Sequence, residues 1–151
     1  MITFAVERLE TMDASELWPL LVDHREELTT NKALMVLAPD MPRYVACEQA
    51  GAFFMLVARE NGAMVGYSAN FIAQHLHYSA LRYANNDVLF LAKDHRKGSL
   101  GLRLIRETER EAKARGAQLL VWHAKPGTSL DVVLPKKGYR VQDVMYSRIL
   151  E

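Results

Sequence analysis

The segment Lys93-Asp94-His95-Arg96-Lys97-Gly98-Ser99-Leu100-Gly101-Leu102 lies between an apolar run and the strongest helical pattern of the chain. A glycine-bearing turn that opens a helix leaves backbone N–H groups without partners and aims the positive end of the helix at one spot. With Arg96 and Lys97 beside it, that spot suits a diphosphate. It is not a P-loop, because no Gly-Lys-Ser/Thr follows, and it lacks the three glycines of a dinucleotide-binding turn. A plain strand-to-helix turn, with glycines serving only backbone geometry, fits the spacing as well.

The other residues able to do chemistry stand near predicted strand ends. Asp87 opens the apolar run 87–91 and, by period-two counting, shares a face with Leu89 and Leu91. His123 closes the run 117–123. His75 and His77 share one face if their segment is extended, and Tyr78 adjoins them. A strand-end carboxylate or histidine that merely hydrogen-bonds is the plainer alternative for each. His75, His77 and His123 lack an obvious acidic or cysteine partner, so no metal is expected. His24, Arg25, Glu26 and Glu27 read either as a solvated helix end or as contacts to a substrate.

The elements that must position these groups follow from periodicity. Ile2, Phe4 and Val6 alternate as a first strand. Asp13 and Glu16 fit a capping box opening a helix that runs to Leu28, unless Pro19 marks a later start after Trp18. Residues 29–51 show no clear period, and a short helix is expected over 42–50. Strands over 53–59 and 63–72 flank Asn61-Gly62, a hairpin turn signal. Residues 87–91 form a compact strand and 99–115 an amphipathic helix with Leu100, Leu104, Ile105 and Thr108 on one face, stopped by Gly116. A strand over 117–123, a helix over 128–137 and a final pair of strands over 139–150 complete the chain. A strand–helix–strand middle requires a parallel pair in a mixed sheet.

Composition sets the frame. The chain has 151 residues, 50% hydrophobic and 25% charged, enough for one domain over 1–151 with its own core. Nineteen basic against eighteen acidic residues give a formal charge of +1, without the basic excess expected of a duplex-binding protein. The one cysteine, Cys47, excludes an intrachain disulfide framework. No signal peptide and no spanning segment are visible, so a cytoplasmic setting and no membrane partner are expected.

Arg96-Lys97-Gly98-Ser99-Leu100-Gly101 resembles the Arg-x-x-Gly-x-Gly/Ala signature of the GNAT superfamily of acyl-CoA-dependent N-acyltransferases, with Ser99 in place of the first glycine. The order of elements resembles that fold over nearly the whole chain. Three phrases, His75-Leu76-His77-Tyr78, Asn86-Asp87-Val88-Leu89-Phe90-Leu91 and Trp122-His123-Ala124-Lys125-Pro126-Gly127, also look like small members encoded by tailed phages and prophages, which would place the protein in a host cytoplasm. The resemblance implies an α/β (α+β) fold: a mixed, mostly antiparallel sheet of six to seven strands, helices on both faces, and a central parallel pair splayed to bind coenzyme A. The backbone amides of Lys97, Gly98, Ser99, Leu100, Gly101 and Leu102 would then cradle the pyrophosphate, with Arg96 near the phosphates. Phe90, Leu91 and Ala92 would pair with the pantetheine arm, and an N–H in that strand would stabilise an oxyanion.

The implied reaction is acetyl transfer from acetyl-CoA to a primary amine, by direct attack through a tetrahedral intermediate and without a metal. A base must free the amine from an ammonium of pKa about 10. Many members place an acidic tyrosine four residues before the glycine of a terminal Gly-aromatic pair. Here that pair is Gly138-Tyr139, and the position holds Leu134. Asp87 with one histidine, directly or through water, is therefore expected as the base, and His123 or Tyr78 as the acid, with His77 among the histidines. Two other classes stay open: an acyl-CoA-binding or interaction module without catalysis, and an acyltransferase acting on a nucleic-acid-borne amine, for which Arg25, Lys32, Arg43 and Arg82 would supply a local basic face. The acceptor is expected to be a small-molecule or peptide amine, and the final strands offer an edge for a homodimer.

Overall fold

The computed structural model describes residues 1–151. One sheet in the order β1-β2-β3-β4-β5 organises it, built from β1 (Ile2–Glu7), β2 (Phe53–Glu60), β3 (Ala63–Gln74), β4 (Arg82–Leu91) and β5 (Leu119–Val121). The first four strands are antiparallel to their neighbours and β5 runs parallel to β4. Four helices accompany them: α1 (Ala14–Leu28), α2 (Met41–Gln49), α3 (Leu100–Ala114) and α4 (Ser129–Lys136). The fold is α+β with five strands, not six to seven.

The expected final strands over 139–150 do not form, and Val141, Met145 and Tyr146 stand exposed. Strand preference reflects fit to a half-buried pleated surface, and β5, three residues long, offers almost no ladder to build on. Tyr139 instead donates its hydroxyl to Glu109 on α3, and the edge expected to pair two copies is absent with those strands.

Two apolar layers fill the faces of the sheet. Leu17 and Leu20 of α1 pack with Phe53, Met55, Val57, Tyr67, Ala69 and Phe90, and Tyr44 and Val45 of α2 join them. Leu100, Leu104 and Ala112 of α3 pack on the opposite face against Phe54, Leu56, Ile72, Ala84 and Leu91. The heptad-like spacing in α3 thus buries Leu100, Leu104, Ile105 and Thr108 as the sequence pattern predicts.

Local chemistry departs from expectation in α1. Asp13 caps the helix by accepting from Ser15 N at 2.8 Å. Glu16, expected to close a capping box, accepts from Arg59 at 2.6 Å and from Met64 N at 2.9 Å instead. Arg59 also binds Glu7 at 2.7 Å, so one guanidinium ties α1 to the β1–β2–β3 edge. Pro19 lies inside the helix rather than at its start.

β3 and β4 approach so closely at Gly66 that no side chain fits. A Cβ there would lie 2.8 Å from the Phe90 carbonyl oxygen and 2.8 Å from Leu91 Cδ1. Gly66→Ala is expected to cost about 1–3 kcal/mol through this overpacking, read as a lowered denaturant midpoint at unchanged slope. A midpoint equal to wild type would show that β4 yields at no cost.

Candidate active site

β4 begins at Arg82, five residues before the point the sequence pattern suggests, because Asn85 and Asn86 are poor strand formers that conceal its first half. Asn86 is buried, and its amide donates to Ser68 Oγ at 3.1 Å and to Asn70 Oδ1 at 2.9 Å. This satisfied polar network holds an irregularity in the pairing: Asn70 faces Asn86 but Ala69 faces Val88, leaving Asp87 as the extra residue of a bulge. The bulge reverses the alternation. Val88 and Phe90 pack with the α1 and α2 side, whereas Leu89 and Leu91 pack with the α3 side.

Asp87 is therefore not on the face of Leu89 and Leu91, nor at the strand's start. Its carboxylate is exposed and accepts from the Tyr44 hydroxyl of α2 at 2.9 Å. Burial, then the nearby Asp87 charge, pushes the Tyr44 phenol up to about 12, so it stays a donor at neutral pH.

The parallel pair is short. Tyr83, Ala84 and Asn85 face Leu119, Leu120 and Val121, and beyond Asn85 the strands part. The β4 edge from Asn86 to Leu91 thus has no partner on the β5 side. The parting also ends β5 at Val121, so His123 lies two residues past the strand instead of closing it. From there its Nε2 meets Asn85 Oδ1 at 2.7 Å, across the apex of the opening.

At the far end of β4 the chain turns into α3. Gly98 takes φ +84°, and the six N–H groups of residues 97–102 donate to no group in the protein. Gly101 has an ordinary φ, and a Cβ there would meet only Leu91 Cδ2, at 3.9 Å. The fold itself does not demand glycine at this place, and its absent side chain leaves the row of donors uncovered. These residues fit a diphosphate. Arg96 is engaged elsewhere: Nε donates to the Leu91 carbonyl at 2.7 Å and Nη2 to Glu27 Oε2 at 2.8 Å, while the guanidinium lies 5.3 Å from the Phe90 ring centre. It braces the loop against α1 and holds the Glu27 carboxyl below its usual range, chiefly by hydrogen bonding.

The model of the acetyltransferase (GNAT) family matches residues 15–129, most of the chain. The chain belongs to the GNAT acetyltransferase family. Solved structures agree on its fold. A ribosomal-protein-alanine N-acetyltransferase from Brucella melitensis biovar Abortus 2308 is 22% identical with a TM-score of 0.71, covering 100% of this chain and 99% of its own. An aminoglycoside acetyltransferase from an uncultured soil metagenomic sample is 18% identical with a TM-score of 0.77 and the same coverage. A GCN5-related N-acetyltransferase from Ralstonia eutropha JMP134 is 17% identical at 0.76, covering 99% of each chain. No curated protein matches this one by sequence.

His77 and Tyr78 sit on the turn between β3 and β4, exposed, with their backbone N–H groups closing on His75 Nδ1 at 3.1 Å each. That segment is a turn rather than extended. It lies at the end of β4 opposite the donor row, about 30 Å away at ~3.3 Å per residue, and nothing brings His77 or Tyr78 to Asp87. Leu134, where many GNAT members carry an acidic tyrosine, is buried in α4. Of the four basic residues weighed for nucleic acid, Arg25 and Lys32 bind Glu26, Arg82 donates to the Arg115 carbonyl, and Arg43 stays exposed, 3.9 Å from Asp40. No helix is long and apolar enough to cross a membrane.

One more group stands at this opening, His24, which the sequence offers only together with its charged neighbours as a solvated helix end or a substrate contact. His24 of α1 is half-buried, stacks on Phe90 at 5.0 Å and 15°, and its Nδ1 lies 2.8 Å from the buried Tyr67 hydroxyl. Leu17, Leu20, Leu21 and His24 follow the helical period, which was the available signal that His24 faces inward rather than with its charged neighbours.

Proposed function

We propose that the protein is an acetyl-CoA-dependent N-acetyltransferase acting on a primary amine by direct attack, without a metal. The observation that carries this reading is the unpaired β4 edge running from the Asp87 bulge to the row of free N–H groups. Residues 97–102 hold the pyrophosphate, and Phe90, Leu91 and Ala92 lie along the pantetheine. An N–H of the unpaired edge stabilises the oxyanion. Asp87, an exposed carboxylate held by Tyr44, attracts the acceptor ammonium and shares the work of the base with a histidine. His123, at the apex, donates to the leaving thiolate. The acceptor is a small-molecule or peptide amine, and the narrower phage-like reading rests on its three sequence phrases.

Buried, apolar Leu134 favours a second reading, a GNAT domain that binds acyl-CoA without turning it over. Two measurements separate them. Acetyl-CoA at 100 times its dissociation constant should stabilise the protein by about 2.7 kcal/mol, and thiol release should follow on adding members of a panel of amines, peptides and aminoacyl-tRNA. Stabilisation with no release from any acceptor supports the binding module; no stabilisation at saturation sinks both.

A further inference from the structure

We propose that His24 is the proton acceptor of this site, taking the proton of the acceptor amine on Nε2 while Tyr67 holds Nδ1. The assignment rests on the acetyltransferase reading and names the histidine that works beside Asp87.

Three features of the geometry place it there. The ring lies flat on Phe90, a residue of the unpaired half of β4, so it stands over the edge along which the thioester is expected. Nδ1 is 2.8 Å from Tyr67 Oη, and Tyr67 is 1% exposed, which fixes the ring from behind. Nε2 has no partner in the protein and is not among the buried orphan atoms, so it opens to the solvent side. For Nε2 to accept a proton the ring hydrogen must sit on Nδ1, where the Tyr67 oxygen accepts it. A hydroxyl suits this post because its oxygen serves both the neutral and the protonated ring.

Charges face the ring from every side. Glu27 lies on its own helix, Arg96 on the loop before α3, Asp87 on β4 and Lys125 on the loop after β5. Burial, the largest influence, holds the imidazole below the ordinary histidine value, so it is neutral at pH 7 and ready to accept. Tyr67, its own ionisation pushed up by burial, stays a phenol. In the step itself the ammonium gives one proton to Nε2. The freed lone pair forms the C–N bond to the thioester carbon, and the carbonyl pair moves to oxygen. That pair returns as the C–S bond breaks, the second amine proton passes to the thiolate through His123, and His24 releases its proton to water.

The test uses the whole protein, acetyl-CoA and an amine found active with wild type. In His24→Gln, kcat should fall about 100-fold or more, while stabilisation by acetyl-CoA persists and confirms an intact fold. In His24→Ala, added imidazole should restore part of the rate. Wild-type kcat should decline as pH drops through a value below 6.5, and His24→Gln should lack that limb. A variant kcat within threefold of wild type overturns the assignment, as does the same limb in both proteins. A wild type that releases no thiol with any amine fails the acetyltransferase reading itself; an active wild type with an indifferent His24 variant fails only this inference.

Discussion

Gly101→Val is expected to erase the stabilisation conferred by acetyl-CoA while leaving the free protein almost unchanged. The wild-type gain of about 2.7 kcal/mol at 100 times the dissociation constant corresponds to a rise of about 5–10 °C for a chain of this length. In the variant the rise should vanish. A Cβ at this position meets nothing closer than Leu91 Cδ2, at 3.9 Å, and glycine is itself a poor helix residue. Stability without ligand should therefore stay within about 0.5 kcal/mol of wild type. What changes is the surface over the six free N–H groups, where a branched side chain keeps a pyrophosphate from reaching the backbone. Gly98 would be a poorer choice, since at φ +84° any side chain strains the loop itself. Undiminished stabilisation in Gly101→Val would move the phosphate site off this loop.

Asp87→Asn should show the opposite pattern, with coenzyme binding intact and turnover lost. The amide oxygen can still accept from Tyr44, so the bulge and its α2 contact survive. The charge does not. An ammonium loses its carboxylate partner and a proton relay loses a member, and loss of general acid–base participation lowers rates about 100- to 10,000-fold. Steady-state kinetics should give a reduced kcat with a raised KM for the amine, and a melting shift with acetyl-CoA equal to wild type. His123→Ala should lower kcat as well, without the rise in amine KM, if it is the proposed donor to the leaving thiolate. Turnover unchanged in both would remove Asp87 and His123 from the mechanism.

The sequence reveals most where one period dominates. α3 presents one apolar face to one layer of core, and β2 and β3 are apolar on both faces and feed both layers, so helical spacing or a continuous apolar run reads straight through to burial. β4 defeats the same reading because its centre is polar and buried: Asn86 is acceptable there only because Ser68 and Asn70, eighteen and sixteen positions earlier, complete its hydrogen bonds. Its bulge then shifts Asp87 to the face opposite Leu89 and Leu91, which counting by twos cannot foresee. The free donors of residues 97–102 are legible, since the first turn of a helix leaves its N–H groups without intrahelical partners. The Arg96–Glu27 pair is not, because nothing local links two residues 69 positions apart. Leu150 and Ile149 mislead in the other direction: strand-forming residues need an edge to join, and β5 is too short to supply one.

That shortness also bears on how the chain folds. β2, β3 and β4 form a meander whose pairings close over nearby residues, with the Asn61-Gly62 turn at its first corner. Such pairings incur little loop-closure entropy and form early. The β4–β5 ladder must wait for α3 to cross the sheet, and then gains only three pairs of residues. The cleft between those strands is thus assembled late from the least cooperative part of the sheet, the part where local opening costs least. A ligand lying in it would act as the missing strand, so the segment that completes the fold is also the one that such a ligand would tighten most.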